Sequence, residues 1–208
     1  MKEETFIIVV GAIEVKYKYM NNVLNISKAL MDLAIYNGDT VIDATVGNGN
    51  DTLYMANLIG DEGKVYGFDI QKTAINRTKQ ALEKAGFNNR VTLINSGHET
   101  MDEYVKEKVK LVVFNLGFLP KGDKKITTLP GTTIMAMEKS LKLLVDNGLL
   151  LIISYIGHSG GLEEKEAVEN YLKELNQKEY NVLKYKFINQ INNPPILYGV
   201  EKRSFKEG

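Results

Sequence analysis

Along this chain, short runs of consecutive apolar residues alternate with longer stretches in which apolar residues recur every three or four positions. The first pattern belongs to a strand buried on both faces, the second to an amphipathic helix. Strands are expected at 40–45 (TVIDAT), 64–70 (KVYGFDI), 91–95 (VTLIN), 109–116 (VKLVVFNL) and 148–154 (GLLLIIS). Helices are expected at 51–59, stopped by Gly60; at 72–86, with Ile75, Thr78, Leu82 and Ala85 inward; and at 133–148, with Ile134, Met137, Leu141 and Leu144 inward. A weaker helix runs through Met101 and Tyr104, and another spans 162–175, with Leu162, Val168, Leu172 and Leu175 near one stripe. The segment 22–38 reads as a helix covering the sheet and closed by Gly38.

Two further strand-like segments, 180–189 and 196–203, have only QINNPP between them, so they form an antiparallel hairpin. Alternating β and α elements imply an α/β, Rossmann-like, doubly wound sheet of seven strands, mostly parallel, with that hairpin at its C-terminal end. One domain is expected over 22–208. Residues 1–21 read as an N-terminal extension, in which TFIIVVGAIEVKY is either an extra edge strand or part of a loose leader ahead of a start at Met20.

Composition narrows the function. With 208 residues, the chain builds one full core. Lys and Arg together number 26, as do Asp and Glu, so a protein that coats DNA or RNA nonspecifically is not expected. A local basic patch reading one small RNA remains compatible with that balance. There is no cysteine, which removes disulfides, zinc–thiolate sites and thiolate nucleophiles, and fits a cytoplasmic location. The run FIIVVGAI at 6–13 is too short to span a bilayer and lacks the flanks of a signal peptide, so no membrane partner is expected.

The richest chemistry lies in DATVGNGNDT, residues 43–52, where a strand turns into a helix. Glycines there let the backbone approach a ligand, and the N–H groups of the helix start face it. A dinucleotide is the first candidate, and Asp69 at the end of the second strand suits a ribose. The bend, however, lacks the third glycine of the dinucleotide fingerprint. Asp43 and Asp51 would also repel a pyrophosphate. They suit a ligand with a ribose, no phosphate and a positive end, as in S-adenosyl-L-methionine. The remaining reading is a tight turn with a helix cap, since Asn and Asp cap helices well.

Here the chain resembles class I S-adenosylmethionine-dependent methyltransferases. From about residue 22 to 203, DATVGNGNDT, GFDIQ, SGHE, FNLGFLPKGDK, SYIGHSGGLEEKEAV and NPP together resemble the bacterial rRNA-methylase family of the YtqB/MnmM type. The resemblance implies methylation of the amine of 5-aminomethyl-(2-thio)uridine at tRNA wobble position 34. It also implies a homodimer that binds the tRNA anticodon loop.

For the cofactor, Asp69 would accept the ribose hydroxyls, with Gln71 on the same rim. Asp43 and the bend from Thr45 through Gly47, Asn48, Gly49 and Asn50 to Asp51 and Thr52 would hold the methionine end. Ser96, Gly97 and His98 would border the adenine, unless His98 is only a cap or surface residue. For the acceptor, NLGF at 115–118 resembles the N-P-P-Y pattern of amine-methylating enzymes, with Leu-Gly in place of Pro-Pro. Asn115 and the Leu116 carbonyl would accept hydrogen bonds from an –NH2 group, and Phe118 would stack on a base. Tyr155 and His158 are candidates for positioning the amine and taking its proton; the alternative makes Tyr155 core and His158 a cap. Glu163 and Glu164 read as first-turn helix acids. Lys121, Lys124 and Lys125 flank the acceptor loop, and Lys184, Lys186, Lys202 and Arg203 lie on the last strands; any of these could meet phosphates or be solvated surface. Ring-carbon methylation of a pyrimidine normally needs a cysteine, which this chain lacks, so a nitrogen or oxygen acceptor remains. An rRNA base or a small-molecule amine is the alternative acceptor. A cofactor- or RNA-binding module without turnover is the reading outside enzymology.

Overall fold

The structure, a computed structural model, describes residues 20, 22–119 and 126–204. The expected strand within 1–19 and the lysines 121, 124 and 125 lie outside the described residues.

Seven strands form one sheet: β1 (Thr40–Asp43), β2 (Lys64–Phe68), β3 (Val91–Ile94), β4 (Val109–Leu116), β5 (Leu144–Ser154), β6 (Tyr180–Tyr185) and β7 (Ile196–Lys202), in the order β3-β2-β1-β4-β5-β7-β6. The first five are parallel, while β7 runs antiparallel to both β5 and β6. The chain therefore leaves β1 toward one edge through β2 and β3, then returns to the other side of β1 as β4. That reversal opens a crevice at the C-terminal ends of β1 and β4, where open α/β sheets bind ligands.

Period-2 alternation divides the side chains of each strand between two cores. Val112, Phe114, Leu150, Ile152, Tyr198 and Val200 enter one core, beneath the short helix α4 (Met101–Tyr104), α5 (Pro130–Leu143) and α6 (Gly161–Lys173). Leu111, Val113, Leu151, Ile153 and Leu197 enter the other, beneath α1 (Val23–Ala34), α2 (Asn50–Leu58) and α3 (Lys72–Ala85). Asn22 caps α1, its side chain accepting from the Asn25 N–H at 2.9 Å. Gly86 ends α3 in a left-handed turn (φ 75°) that carries the 6→1 bond from Phe87 N–H to Leu82 O.

Five expectations need correction. The helix expected over 133–148 spans Pro130–Leu143, and the strand expected from 148 begins at Leu144. Proline is accepted at the first helical turn, and the last turn gives way because Leu144 is buried and pairs with Val109. The chain then bulges through Asn147 (φ 55°) before Leu149 pairs with Leu111. The strand expected over 180–189 stops at Tyr185. On α6, Leu162 faces solvent and Glu164 is buried, the reverse of what the apolar stripe predicts; on α3, Ala74 is buried and Ala85 exposed.

A charged cluster fastens α6 to the hairpin. Glu169 accepts from Lys184 at 2.8 Å and Tyr198 Oη at 3.0 Å, and pairs with Lys165 at 3.0 Å and Lys173 at 3.3 Å. The Lys184 hydrogen bond leads the interactions that hold this carboxyl far below the ordinary glutamate range, outweighing desolvation. A depressed folded-state pKa gives stability that is present above the unfolded value and lost as pH falls through the folded one. Glu169→Gln is therefore expected to lower the melting temperature at neutral pH. The gap from wild type should close as the pH falls below the ordinary glutamate pKa, as thermal unfolding across a pH series would show.

Candidate active site

The bend after β1 is fixed by backbone bonds to both neighbouring strands. Ala44 N–H donates to Val113 O at 2.8 Å, and Val46 N–H donates to Phe68 O at 3.0 Å. Gly49 closes the turn onto Val46 O with φ 79° and starts α2, and a Cβ there would meet the Thr78 hydroxyl at 2.6 Å. Only glycine satisfies both demands. Across the crevice, the two oxygens of Asp69 take one backbone N–H each, from Gly47 and Gln71, both at 2.8 Å. Asp69 is partly buried, and burial raises its pKa against the lowering effect of those two bonds and of His98.

A ring of hydrogen bonds joins this bend to the tip of β4. Asp43, almost fully buried, accepts from Thr45 N–H at 3.1 Å and from Thr52 Oγ1 at 2.5 Å. The Thr45 hydroxyl in turn accepts the Asn115 N–H at 2.7 Å, and Asn115 Nδ2 donates to Asp51 Oδ2 at 2.7 Å. The peptide between Asp51 and Thr52 closes the circuit. Desolvation, followed by the nearby charge of Asp51, pushes the Asp43 carboxyl up to about 7, against the hydrogen bonds from Thr52 and Thr45. Asp43 thus supports the bend from behind instead of presenting its oxygens to solvent.

Beyond Asn115, Leu116 is buried and Gly117 turns with φ 144°. The Phe118 ring meets His158 edge-on, with centroids 5.7 Å apart. A Cβ at Gly117 would lie 3.5 Å from His158 Cε1 and 3.7 Å from Tyr155 Cβ, so the β4 tip and the loop after β5 touch. Nε2 of His158 is buried with no hydrogen-bond partner among the described residues. Burial and the Asp51 charge raise the Tyr155 pKa. Asn115, Phe118, Tyr155 and His158, scattered in sequence, therefore meet at one end of the crevice, with Asp69 and the glycine bend beside them.

Comparison with known proteins decides the family. Residues 65–201 match the family model described as "Putative rRNA methylase". The chain is 40% identical to an Arabidopsis thaliana chloroplastic tRNA (mnm(5)s(2)U34)-methyltransferase over 183 residues, 83% of this chain and 67% of that protein. It superposes on a Clostridium thermocellum protein described as a "putative rRNA-methylase" with TM-score 0.86 and 48% identity, covering 87% of this chain and 97% of that one. A Streptococcus mutans "putative methyltransferase", in complex with SAH, matches with TM-score 0.80 and 39% identity over 86% of this chain and 97% of that one.

The chain belongs to this methylase family. It is a methyltransferase with the class I fold, and the donor set of its crevice fits S-adenosylmethionine. Asp69, at the end of β2, keeps lone pairs beyond the two used by Gly47 and Gln71, as a ligand with ribose hydroxyls requires. Asp51 stands at the bend with its carboxylate bound to Asn115, and no lysine stands in residues 44–50 to cradle a phosphate. Among the described residues, no group of His, Asp and Glu is arranged to hold a metal ion, and no helix is long and apolar enough to cross a membrane.

Other expected residues stand elsewhere in the methylase. His98 is not on the rim: its ring is buried against Phe114 at 5.4 Å, with Nδ1 3.3 Å from Ala44 O. Burial lowers its pKa, although Glu99, the Ala44 carbonyl, Glu164 and Asp69 oppose this. His98 braces the bend from the core side, while Gly97 precedes it as a cap and Ser96 bonds to Thr100 at 3.0 Å. Lys184 is engaged by Glu169, Lys202 donates to Leu144 O and Arg203 to Lys178 O, so the late strands do not present a free basic stripe. Lys186 is exposed.

Two residues escaped sequence reasoning. Arg77 reaches from α3 to Asn48 Oδ1 at 2.5 Å, and its helical position gave no sign of it. Glu164 is a first-turn helix acid of α6, as expected, but its burial between Thr128 and Thr133 was not foreseen. The threonines just before and inside the start of α5 were the available signal.

The raised Asp43 pKa has a testable sign. A carboxyl with a folded value above its unfolded one contributes stability that is full below the unfolded pKa and is lost as pH rises through the folded pKa. The 13C resonance of the Asp43 carboxyl is expected to titrate with a midpoint of about 7, and Asp51→Asn to lower that midpoint. Urea unfolding should show stability falling between about pH 4 and about pH 7, a decline that Asp43→Asn reduces.

Proposed function

We propose that this methylase transfers a methyl group from S-adenosylmethionine to the primary amine of 5-aminomethyl-uridine, or its 2-thio form, at tRNA wobble position 34, and that it works as a homodimer on the anticodon loop. The observation that carries the reading is the orientation of Asn115. Its Nδ2 is committed to the Asp51 carboxylate, which can only accept, so Oδ1 is left to receive an N–H from the acceptor. The name of the Arabidopsis relative supplies the nucleoside.

The bound cofactor supplies an electrophilic sulfonium methyl. Asp69 accepts the ribose hydroxyls, Gln71 lies on the same rim, and the backbone of Gly47 through Asn50 faces the methionine end. Asn115 Oδ1 and the Leu116 carbonyl accept two amine hydrogens and so aim the nitrogen lone pair toward the methyl, a gain from orientation alone. Phe118 stacks on the uridine. An alkyl amine is largely protonated at neutral pH, as lysine is, and in that form has no lone pair to attack with. Tyr155 and His158, beside Gly117, hold the amine, and His158 accepts its proton, with its unpartnered Nε2 the atom available for this. Lys121, Lys124 and Lys125 contact the phosphates around the nucleoside.

The decisive assay supplies labelled cofactor and tRNA that lacks only this methyl. Nucleoside analysis should then show 5-methylaminomethyl-uridine. Turnover of rRNA or free amines without product on tRNA would overturn the substrate. Asp69→Ala is expected to weaken cofactor binding about 10- to 100-fold, the worth of a hydrogen bond to a charged group, by calorimetry. Asn115→Ala should lower kcat about 100-fold and leave cofactor affinity nearly unchanged.

A further inference from the structure

Glu164 lies outside the crevice, yet it is a fully buried carboxylate at the start of α6. Its described partners are hydroxyls and not cations: Thr128 Oγ1 donates to Oε2 at 2.6 Å, and Thr133 Oγ1 donates to Oε1 at 2.7 Å. Thr133 belongs to the first turn of α5, so the positive ends of two helices surround the carboxylate. Thr128 is also bound to Gly117 in both directions. The Gly117 N–H donates to Thr128 Oγ1 at 2.9 Å, and the Thr128 N–H donates to Gly117 O at 3.0 Å. Because the Thr128 hydroxyl receives the Gly117 N–H, its own proton goes to Glu164.

The same glutamate is tied to the other wall of the pocket. Its N–H donates to Gly160 O at 3.0 Å, and the adjacent Gly161 N–H donates to His158 O at 3.1 Å. Gly117 and His158 are the residues at which the two walls touch. Phe118 pairs with Thr127 one step along, so the same strut sets where the aromatic ring meets His158.

We propose that Glu164 is a positioning residue. Through Thr128 it clasps Gly117 and holds the β4 tip, with Asn115 and Phe118, at a fixed separation from the loop that carries Tyr155 and His158. This rests on the reading that the β4 tip holds the acceptor amine. Small displacements of such a tip are costly, since a misplacement of about 1 Å can reduce rate about 100-fold.

Two matched variants separate positioning from mere stability. Thr128→Val breaks the link to Gly117, whereas Thr133→Val removes the other hydroxyl from Glu164 and leaves that link intact. Both should lower the melting temperature. Only Thr128→Val should reduce kcat by about 10-fold or more, with cofactor Kd and tRNA KM within about 3-fold of wild type, and only it should speed hydrogen exchange of the Gly117 amide by about 10-fold. Glu164→Gln keeps an acceptor for Thr128 and should retain kcat within about 3-fold, whereas Glu164→Ala should not. Equal kcat losses in the two threonine variants, or a Glu164→Gln loss as large as that of Glu164→Ala, would overturn the proposal. Unchanged Gly117 exchange in Thr128→Val would overturn it whatever the substrate. A wild-type protein inactive on tRNA would instead defeat the proposed function, and the exchange measurement would still decide whether the clasp exists.

Discussion

The hydrogen-bonded ring around Asp43 is the constraint on which the crevice depends. A carboxyl buried at the end of β1 pulls in the Thr45 amide and the Thr52 hydroxyl, which shapes the bend. Thr45 passes the restraint to the backbone of Asn115, and Asp51 fixes the amide of the same residue. The glycine bend and the β4 tip are therefore one unit. The ring spends electrostatic stability to gain this, because burial, and after it the charge of nearby Asp51, disfavours the ionised Asp43 carboxyl. Such a cost is typical of a site in which several groups must keep one geometry.

The topology explains why the ring forms where it does. β1 and β4 are neighbours although β2 and β3 lie between them in sequence, so the bend after one and the tip of the other share the switch point. β5 brings the loop with Tyr155 and His158 to the far side of β4. α6 then returns a glutamate beneath that loop, and α5 contributes threonines from the opposite direction. Glu164 reaches Gly117 through Thr128, and Asp51 binds Asn115, so Asn115 and Gly117 are restrained on both flanks. The antiparallel hairpin closes the sheet beyond β5, and its ties to α6 through Glu169 keep that helix in place.

The glycine bend and the turn after β2 were legible because each is local. DATVGNGNDT and GFDIQ each carry their strand end, turn and helix start within a few residues, and local backbone geometry dictates the residue types. The meeting of the β4 tip with the loop after β5 was legible only as separate fragments. Asn115 and Phe118 stood out through their spacing and His158 through rarity, but nothing in the chain says that Gly117 rests against His158. His98 shows the limit most clearly. A histidine after a strand reads as a rim, cap or surface residue, and only the packing of Phe114 and the Ala44 carbonyl around it places it in the core.

The sequence by itself determined the order of strands and helices, the sheet type, the hairpin and the glycine bend, because these follow from period, turn chemistry and short-range capping. It also determined that no thiolate could serve, since the chain has no cysteine. Tertiary structure alone decided where helix α5 yields to strand β5, which lysines are engaged, and that Glu164 is buried. Each of those outcomes depends on partners far away in the chain: Leu144 on Val109, Lys184 on Glu169, and Glu164 on Thr128 and Thr133. Burial of a polar group depends on whether a complementary donor or acceptor arrives from another element, and the pattern of one segment holds no record of that.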